Sequence, residues 1–304
     1  MESGAKPFLK WAGGKTQLLS EINKYYPFSS GQITKYAEPF VGGGAVFFDI
    51  AAKYALEEVY LGDINPDLIN AYIVVKNDVD GLARLLQQMQ ADYISLGPDE
   101  RKSYFMSARV RFNKLKFDGH ITGDLRRAAI FIFLNKTCFN GLYRVNARGM
   151  FNVPPGKYKN PVICDEMNLR SASIKLQRAR IVCGDYKISE DFIDEKTFVY
   201  LDPPYRPLSS TASFTAYSET AFDDRKQIEL ARFVRRIKKT GAHIVVSNSD
   251  PKNTNPHDNF FDCIYSGMRI RRVDATRMIN CKSEARGQIK ELLISNAGKL
   301  PGAD

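Results

Sequence analysis

An apolar run, Ile33 to Phe40, leads into Gly42-Gly43-Gly44, and a helical pattern starts at once with Ala45 and lasts to Tyr54. A strand that ends in consecutive glycines and passes directly into a helix is the entry of an open α/β sheet. Glycine permits the tight turn and lets backbone pass close to a ligand that a Cβ would hold off. The next strand, Glu58 to Leu61, ends in Gly62-Asp63-Ile64-Asn65, and a further helix runs through Val75. Asp63 stands 19 residues after Gly44, where a carboxylate accepts hydrogen bonds from a ribose diol in sheets of this kind. The glycines do not spell G-x-G-x-x-G, which counts against a dinucleotide site and a dehydrogenase. With no phosphates to cradle, the loop suits a nucleoside with an uncharged or cationic tail; a ligand-free glycine turn is the alternative for the loop taken alone.

The C-terminal third repeats this grammar. Thr197 to Leu201 reads as an apolar strand, Asp223 to Thr240 as an amphipathic helix and His243 to Ser247 as a buried strand, with Phe261 to Met268 and Gln288 to Ser295 as a closing antiparallel pair. At the carboxyl end of the first of these strands stands Asp202-Pro203-Pro204-Tyr205, in the place where open α/β sheets bind ligands. The two prolines fix φ and remove donors, so the backbone carbonyls of this rigid turn are pure acceptors. An Asp oxygen and a Pro carbonyl can both accept from one amino group while Tyr205 offers a flat face. That arrangement holds an exocyclic amine on a planar base and turns its lone pair toward an electrophile.

Between these halves the chain changes character. From Lys76 to Arg180 it opens with helical stretches rich in Gln, Leu, Lys and Arg, then enters a Gly-, Asn-, Pro- and Arg-rich segment from Asn140 to Pro161. Asn140-Gly141 and Arg148-Gly149 are turn signals of hairpin chemistry. The expected organisation is therefore an insert, residues 76–180, within a discontinuous α/β domain made of residues 1–75 and 181–304. Near the N-terminus, Lys10-Trp11-Ala12-Gly13-Gly14-Lys15-Thr16 ends like a phosphate-binding loop, but Leu9 stands where its first glycine is required. An NTPase reading fails, and a basic loop carrying the only Trp of the chain remains.

Composition narrows the partner. Lys and Arg number 44 against 34 Asp and Glu, a formal net charge of +10, which points weakly to a polyanion. The 15 Tyr and 19 Phe are too many for a disordered polycation. No apolar run approaches the roughly 18 residues needed to span a bilayer, and the first residues lack a secretory apolar core. Cys138, Cys164, Cys183, Cys263 and Cys281 are scattered without C-x-x-C, beside three His. They read as reduced thiols of a cytoplasmic protein, with no metal site.

Lys10-Trp11-Ala-Gly-Gly-Lys15, Glu38-Pro-Phe-Val-Gly-Gly-Gly44, Asp63 and Asp202-Pro-Pro-Tyr205 follow one another in the order found in DNA adenine-N6 methyltransferases of the Dam type, the alpha-group enzymes that act on GATC. Phe139-Asn-Gly-Leu-Tyr-Arg144-Val-Asn and Phe151-Asn-Val-Pro-Pro-Gly-Lys-Tyr158 resemble that family's DNA-reading hairpin, and the likeness spans about residues 6 to 295. It implies a Rossmann-like methyltransferase fold, a mostly parallel seven-stranded sheet with flanking helices and a helical and hairpin recognition insert. S-adenosylmethionine would be the methyl donor and double-stranded DNA the substrate. Trp11, Lys15, Phe40, Gly42, Gly44, Asp63 and Asp202 match donor-binding positions. Asp185 would lie near the donor adenine, although a strand-end Asp also reads as a helix cap.

By the same resemblance, Asp202 and Pro203 grip N6 of an adenine flipped out of the duplex, on which Tyr205 stacks. Arg144 matches a guanine contact; Lys10, Phe139, Asn140, Leu142 and Tyr158 match other DNA contacts, Phe139 as an aromatic wedge. Individually each basic residue could equally be a phosphate contact or a solvated side chain. Arg269, Arg271, Arg272 and Arg277 form a basic cluster read either as phosphate-binding or as a soluble face. Within enzymes, N4-cytosine and RNA methylation are the alternatives, and Asp202 argues against the first, where Ser-Pro-Pro-Tyr is more usual. A non-catalytic DNA-binding regulator is a further reading. A cognate endonuclease of a restriction–modification system, repair marking and a regulatory role all remain open at this level.

Overall fold

The computed structural model describes residues 4–117, 123–206, 222–276 and 288–297. Among these, seven strands form one sheet: β1 (Lys35–Glu38), β2 (Glu58–Asp63), β3 (Ala179–Cys183), β4 (Thr197–Leu201), β5 (His243–Ser249), β6 (Arg269–Thr276) and β7 (Gln288–Ser295). Their order is β3-β2-β1-β4-β5-β7-β6. The first five strands pair in parallel, and β7 runs antiparallel between β5 and β6. From β1 the chain winds toward β2 and β3, from β4 toward β5, so the β1–β4 boundary is a topological switch point at which a crevice opens beyond the strand ends.

Period-2 alternation sends the strands' side chains to two cores. Phe198 and Tyr200 of β4 join Tyr36, Phe47 and Ile50 on one face, whereas Val199 and Leu201 meet Leu230, Phe233 and Ile237 on the other. The first face is covered by α1 (Leu19–Ile22), α2 (Ala45–Lys53) and α3 (Pro66–Asn77). The second is covered by α8 (Asp224–Lys238), capped by Asp223 through the Lys226 amide. α3 begins where Asn65 Oδ1 accepts from the amides of Asp67 and Leu68, with Pro66 at its first position.

The central segment contributes α4 (Val79–Ser95), α5 (Pro98–Phe117), α6 (Leu125–Thr137) and α7 (Glu166–Leu176). Leu86, Phe105, Phe112 and Phe131 belong to the same apolar cluster as α2 and α3, so the helical segment shares its core with the sheet. After α6 the chain forms a hairpin. Asn140 (φ 53°) and Gly141 (φ 63°), both left-handed, make a tight turn within the first arm, and the turn from Asn146 to Gly149 (φ 68°) closes the hairpin, whose arms pair at Cys138–Pro155 and Val145–Phe151.

The closing pair differs from the sequence expectation in one strand. Residues Phe260–Ile264 form a short helix, α9, and β6 begins only at Arg269. Phe261 and Tyr265, four apart and both buried, put their rings on one helical face, a spacing that overrode the strand-like composition. Among the described residues no helix is long and apolar enough to cross a membrane, and no group of His, Cys, Asp and Glu is placed to hold a metal ion.

Candidate active site

A cavity of about 860 Å³ opens at the carboxyl ends of β1, β2 and β4, at the switch point. Trp11, Lys15, Phe40, Gly42 and Gly44 line it together with Asp63 and Asp185. Asp202, Pro203, Pro204 and Tyr205 line it as well. Segments far apart in the chain thus share one space with two residues of the hairpin, Tyr143 and Arg144.

The glycine loop is shaped by protein as much as by any ligand. Gly42 and Gly44 are left-handed (φ 47° and 70°). A Cβ on Gly42 would lie 2.8 Å from the Trp11 indole, and one on Gly44 2.5 Å from the Tyr72 hydroxyl. Trp11 is half-buried, stacked on Tyr143 at 6.0 Å, so its ring is a wall of the cavity rather than core. Asp63 Oδ2 accepts from the Gly42 amide (3.2 Å) and Oδ1 from the Asn65 amide (2.9 Å). Burial pushes its carboxyl up to about 6, against the pull of those amides. Asp185 reaches the cavity but also caps the short helix Tyr186–Phe192 by accepting from the Lys187 amide. Phe40 stacks on Tyr186 at 5.3 Å.

On the opposite wall, Asp202 is held on both carboxylate oxygens. Lys15 Nζ lies 2.8 Å from Oδ2, and the Ser247 hydroxyl donates to Oδ1 at 2.9 Å. The same ammonium donates to the Gly13 carbonyl and stands 4.6 Å over the Tyr205 ring. Gln227, fully buried on α8, donates to the Pro204 carbonyl (3.0 Å), and the Tyr205 hydroxyl donates to Glu291 on β7 (2.5 Å). Glu38, buried at the end of β1, accepts from the Tyr36 hydroxyl and the Phe47 amide. Burial first, and the nearby Asp202 charge second among the raising influences, hold its carboxyl well above the usual range. Such a site can present a fixed carboxylate and a flat aromatic face to an amine on a planar ring.

The other motif residues lie along the hairpin. Lys10 extends over the Tyr158 ring (Nζ 3.9 Å from its centre), and its backbone is clamped by Asn135, which also binds the Gly141 carbonyl. Phe139, Asn140 and Arg144 are exposed, whereas Leu142 is half-buried against the core. Arg144 Nε donates to Asn152 Oδ1 at 2.7 Å across the hairpin. The basic cluster on β6 is in part structural: Arg272 pairs with Asp250 and Asp262, and Arg271 with Glu21. Those carboxylates, distant in sequence, take up charge that the linear pattern left for phosphate. Arg277 and Cys281 lie outside the described residues.

Sequence reasoning missed several neighbours of the site. Ser247, Gln227 and Glu291 carry no motif. Tyr143 sits next to the singled-out Arg144, yet its partner is distant: its hydroxyl donates to Asp67 (2.5 Å), which pairs with the fully buried Arg127. Ile64, exposed beside Asp63 in the cavity, was the one legible omission, an apolar residue out of place at a strand end.

The sequence that builds this site is similar to known proteins. The family model described as D12 class N6 adenine-specific DNA methyltransferase matches residues 11–279. The chain is 50% identical over 294 residues to the Type II methyltransferase M.MjaIII of Methanocaldococcus jannaschii, covering 96% of this chain and 99% of that protein. It is 37% identical to the DNA adenine methylase of Haemophilus influenzae (95% of this chain, 92% of that one). Against the DNA adenine methylase of Escherichia coli K12 it is 33% identical (95% and 94%). The family match spans the glycine loop, Asp63, the hairpin and the Asp202–Tyr205 turn, and the chain belongs to the D12 class of N6 adenine-specific DNA methyltransferases.

Proposed function

We propose that this enzyme transfers a methyl group from S-adenosylmethionine to N6 of adenine within GATC of double-stranded DNA, with the target base flipped out. The observation that carries the reading is that Asp202 and the glycine loop with Asp63 face one cavity. A donor pocket and an amine-gripping turn must share such a space for direct displacement.

The residues suit a nucleoside donor. Asp63 spends one lone pair of each oxygen on a backbone amide, which leaves acceptor sites for two ribose hydroxyls. Trp11, Phe40 and Ile64 offer apolar surface, Lys15 orders the wall next to Asp202, and Asp185 stands at the adenine end. Bound S-adenosylmethionine supplies a methyl group activated by its sulfonium. Asp202, fixed by Ser247 and Lys15, accepts one N6 hydrogen and the Pro203 carbonyl the other, which frees the nitrogen lone pair for attack. Tyr205 stacks on the base. Alignment and preorganised charge make up the protein's contribution.

Residues 76–180 form the DNA-recognition part of this reading, and residues 1–75 with 181–304 the catalytic part. Arg144, its Nε tied to Asn152, offers its terminal nitrogens to O6 and N7 of a guanine. Phe139, half exposed on a rigid turn, enters the base stack, while Lys10, Asn140, Leu142 and Tyr158 complete the contact surface. A companion endonuclease cutting the same unmethylated site accords with the Type II name of the Methanocaldococcus jannaschii relative. The test is methyl transfer from labelled donor to duplexes with one GATC or a scrambled site, with the modified adenine mapped. Labelling confined to the GATC adenine is expected; equal labelling of both duplexes rejects the site.

A further inference from the structure

β7 reads Gln-Ile-Lys-Glu-Leu-Leu-Ile-Ser, and Leu292, Leu293 and Ile294 are fully buried. A carboxylate directly before this apolar run is costly unless a partner repays its desolvation. Burial does push the Glu291 carboxyl up, with Lys15 and the Tyr205 hydroxyl pulling it back. Its hydrogen-bond partner is that hydroxyl, at 2.5 Å. Glu291 is also on rigid ground, paired with Ser249 of β5 on one side and Val273 of β6 on the other.

The Asp202–Tyr205 turn needs such support. Asp202 and the Pro204 carbonyl are held by Ser247 and Gln227, but the prolines constrain only backbone. The Tyr205 ring keeps two torsions, the second of them soft. We propose that Glu291 is a positioning residue that sets the plane of the Tyr205 ring for the target base, an inference that rests on the reading of Tyr205 as the base-stacking face. With Lys15 over one part of the ring and Glu291 holding its hydroxyl, the ring is oriented before DNA arrives, so the base meets a prepared surface.

The experiment uses the full-length enzyme and a duplex with one GATC, carrying either adenine or 2-aminopurine at the target position. Glu291→Leu is expected to lower kcat roughly 10- to 100-fold, the scale of a misplaced reactant, with donor affinity unchanged and altered 2-aminopurine fluorescence. Glu291→Gln, which keeps an acceptor, restores most of kcat and the fluorescence. On a Tyr205→Phe background, Glu291→Leu costs less than about twofold more, because the shared bond is already gone. Wild-type kcat for Glu291→Leu, or an equal loss on both backgrounds, overturns the proposal. Should Glu291→Leu fail to bind donor, Tyr205→Phe cuts the same bond from the other side, and wild-type kcat there overturns it too. Tyr205→Ala separates the two readings: full activity rejects base stacking itself, whereas inactivity beside a fully active Glu291→Leu rejects only the role of Glu291.

Discussion

The Asp202–Tyr205 turn and the 139–158 hairpin flank one cavity but are held in opposite ways. Within the turn, Asp202, Pro204 and Tyr205 each receive a hydrogen bond from, or give one to, a side chain of another element. In the hairpin the backbone is secured instead, by Asn135 and by main-chain bonds between its arms, while Phe139 and Arg144 are exposed, Arg144 braced at Nε by Asn152 of the same hairpin. Displacement chemistry tolerates little positional error, so its groups are oriented in advance. On the proposed reading of the hairpin as a DNA contact, side chains that find their partners on binding need a rigid backbone more than fixed tips.

The sharpest way to break this contrast is Asp202→Ala. Methyl transfer should fall at least about 1000-fold, the scale of losing a preorganised polar group from a reaction centre, while the protein still folds, with a lowered melting temperature because the buried Lys15 ammonium loses its carboxylate. Substantial residual turnover would show that the turn is not where the chemistry occurs.

Next in size is the support beneath the hairpin. Arg127→Met leaves the buried Asp67 carboxylate without its cation and with only the Tyr143 hydroxyl beside it, and unfolding free energy should drop by about 3–5 kcal/mol. Denaturant titration measures it; a change below about 1 kcal/mol would mean that water replaces the guanidinium and that the hairpin does not depend on this pair.

Arg144→Ala should cost about 1–3 kcal/mol of discrimination between GATC and a duplex altered at one guanine, with folding unaffected. Competition between the two duplexes reports it, and undiminished selectivity would remove Arg144 from base reading.

The smallest effect is a pH dependence confined to the donor wall. Burial raises the Asp63 carboxyl to about 6, so its ionised form, the one that accepts two hydroxyls, prevails only above that pH. Donor affinity without DNA should therefore weaken as pH falls through about 6, by up to about tenfold per unit, and Asp63→Asn should flatten the profile. A flat profile in the parent would place the ribose elsewhere.

Much of the molecule was legible because its signals are local. Glycines at 42 and 44 mark left-handed turns, Arg148-Gly149 marks the turn that closes the hairpin, and Asp202-Pro-Pro-Tyr205 marks a rigid strand end. These are properties of a few adjacent residues. The strand misplaced at 261–268 shows the limit, since Phe and Tyr serve strands and helices alike until their spacing meets a core.

From its residues alone this chain determined an α/β sheet with a glycine-lined loop, an acidic residue beyond the second strand and a proline-stiffened acidic turn at a strand end. Tertiary structure alone decided that Lys15 meets Asp202, that Tyr143 reaches the Asp67–Arg127 pair and that Tyr205 leans on Glu291, 86 residues away. The reason is physical. Backbone preferences act over neighbouring residues, whereas a buried polar side chain takes whichever partner the packed sheet brings within hydrogen-bond reach.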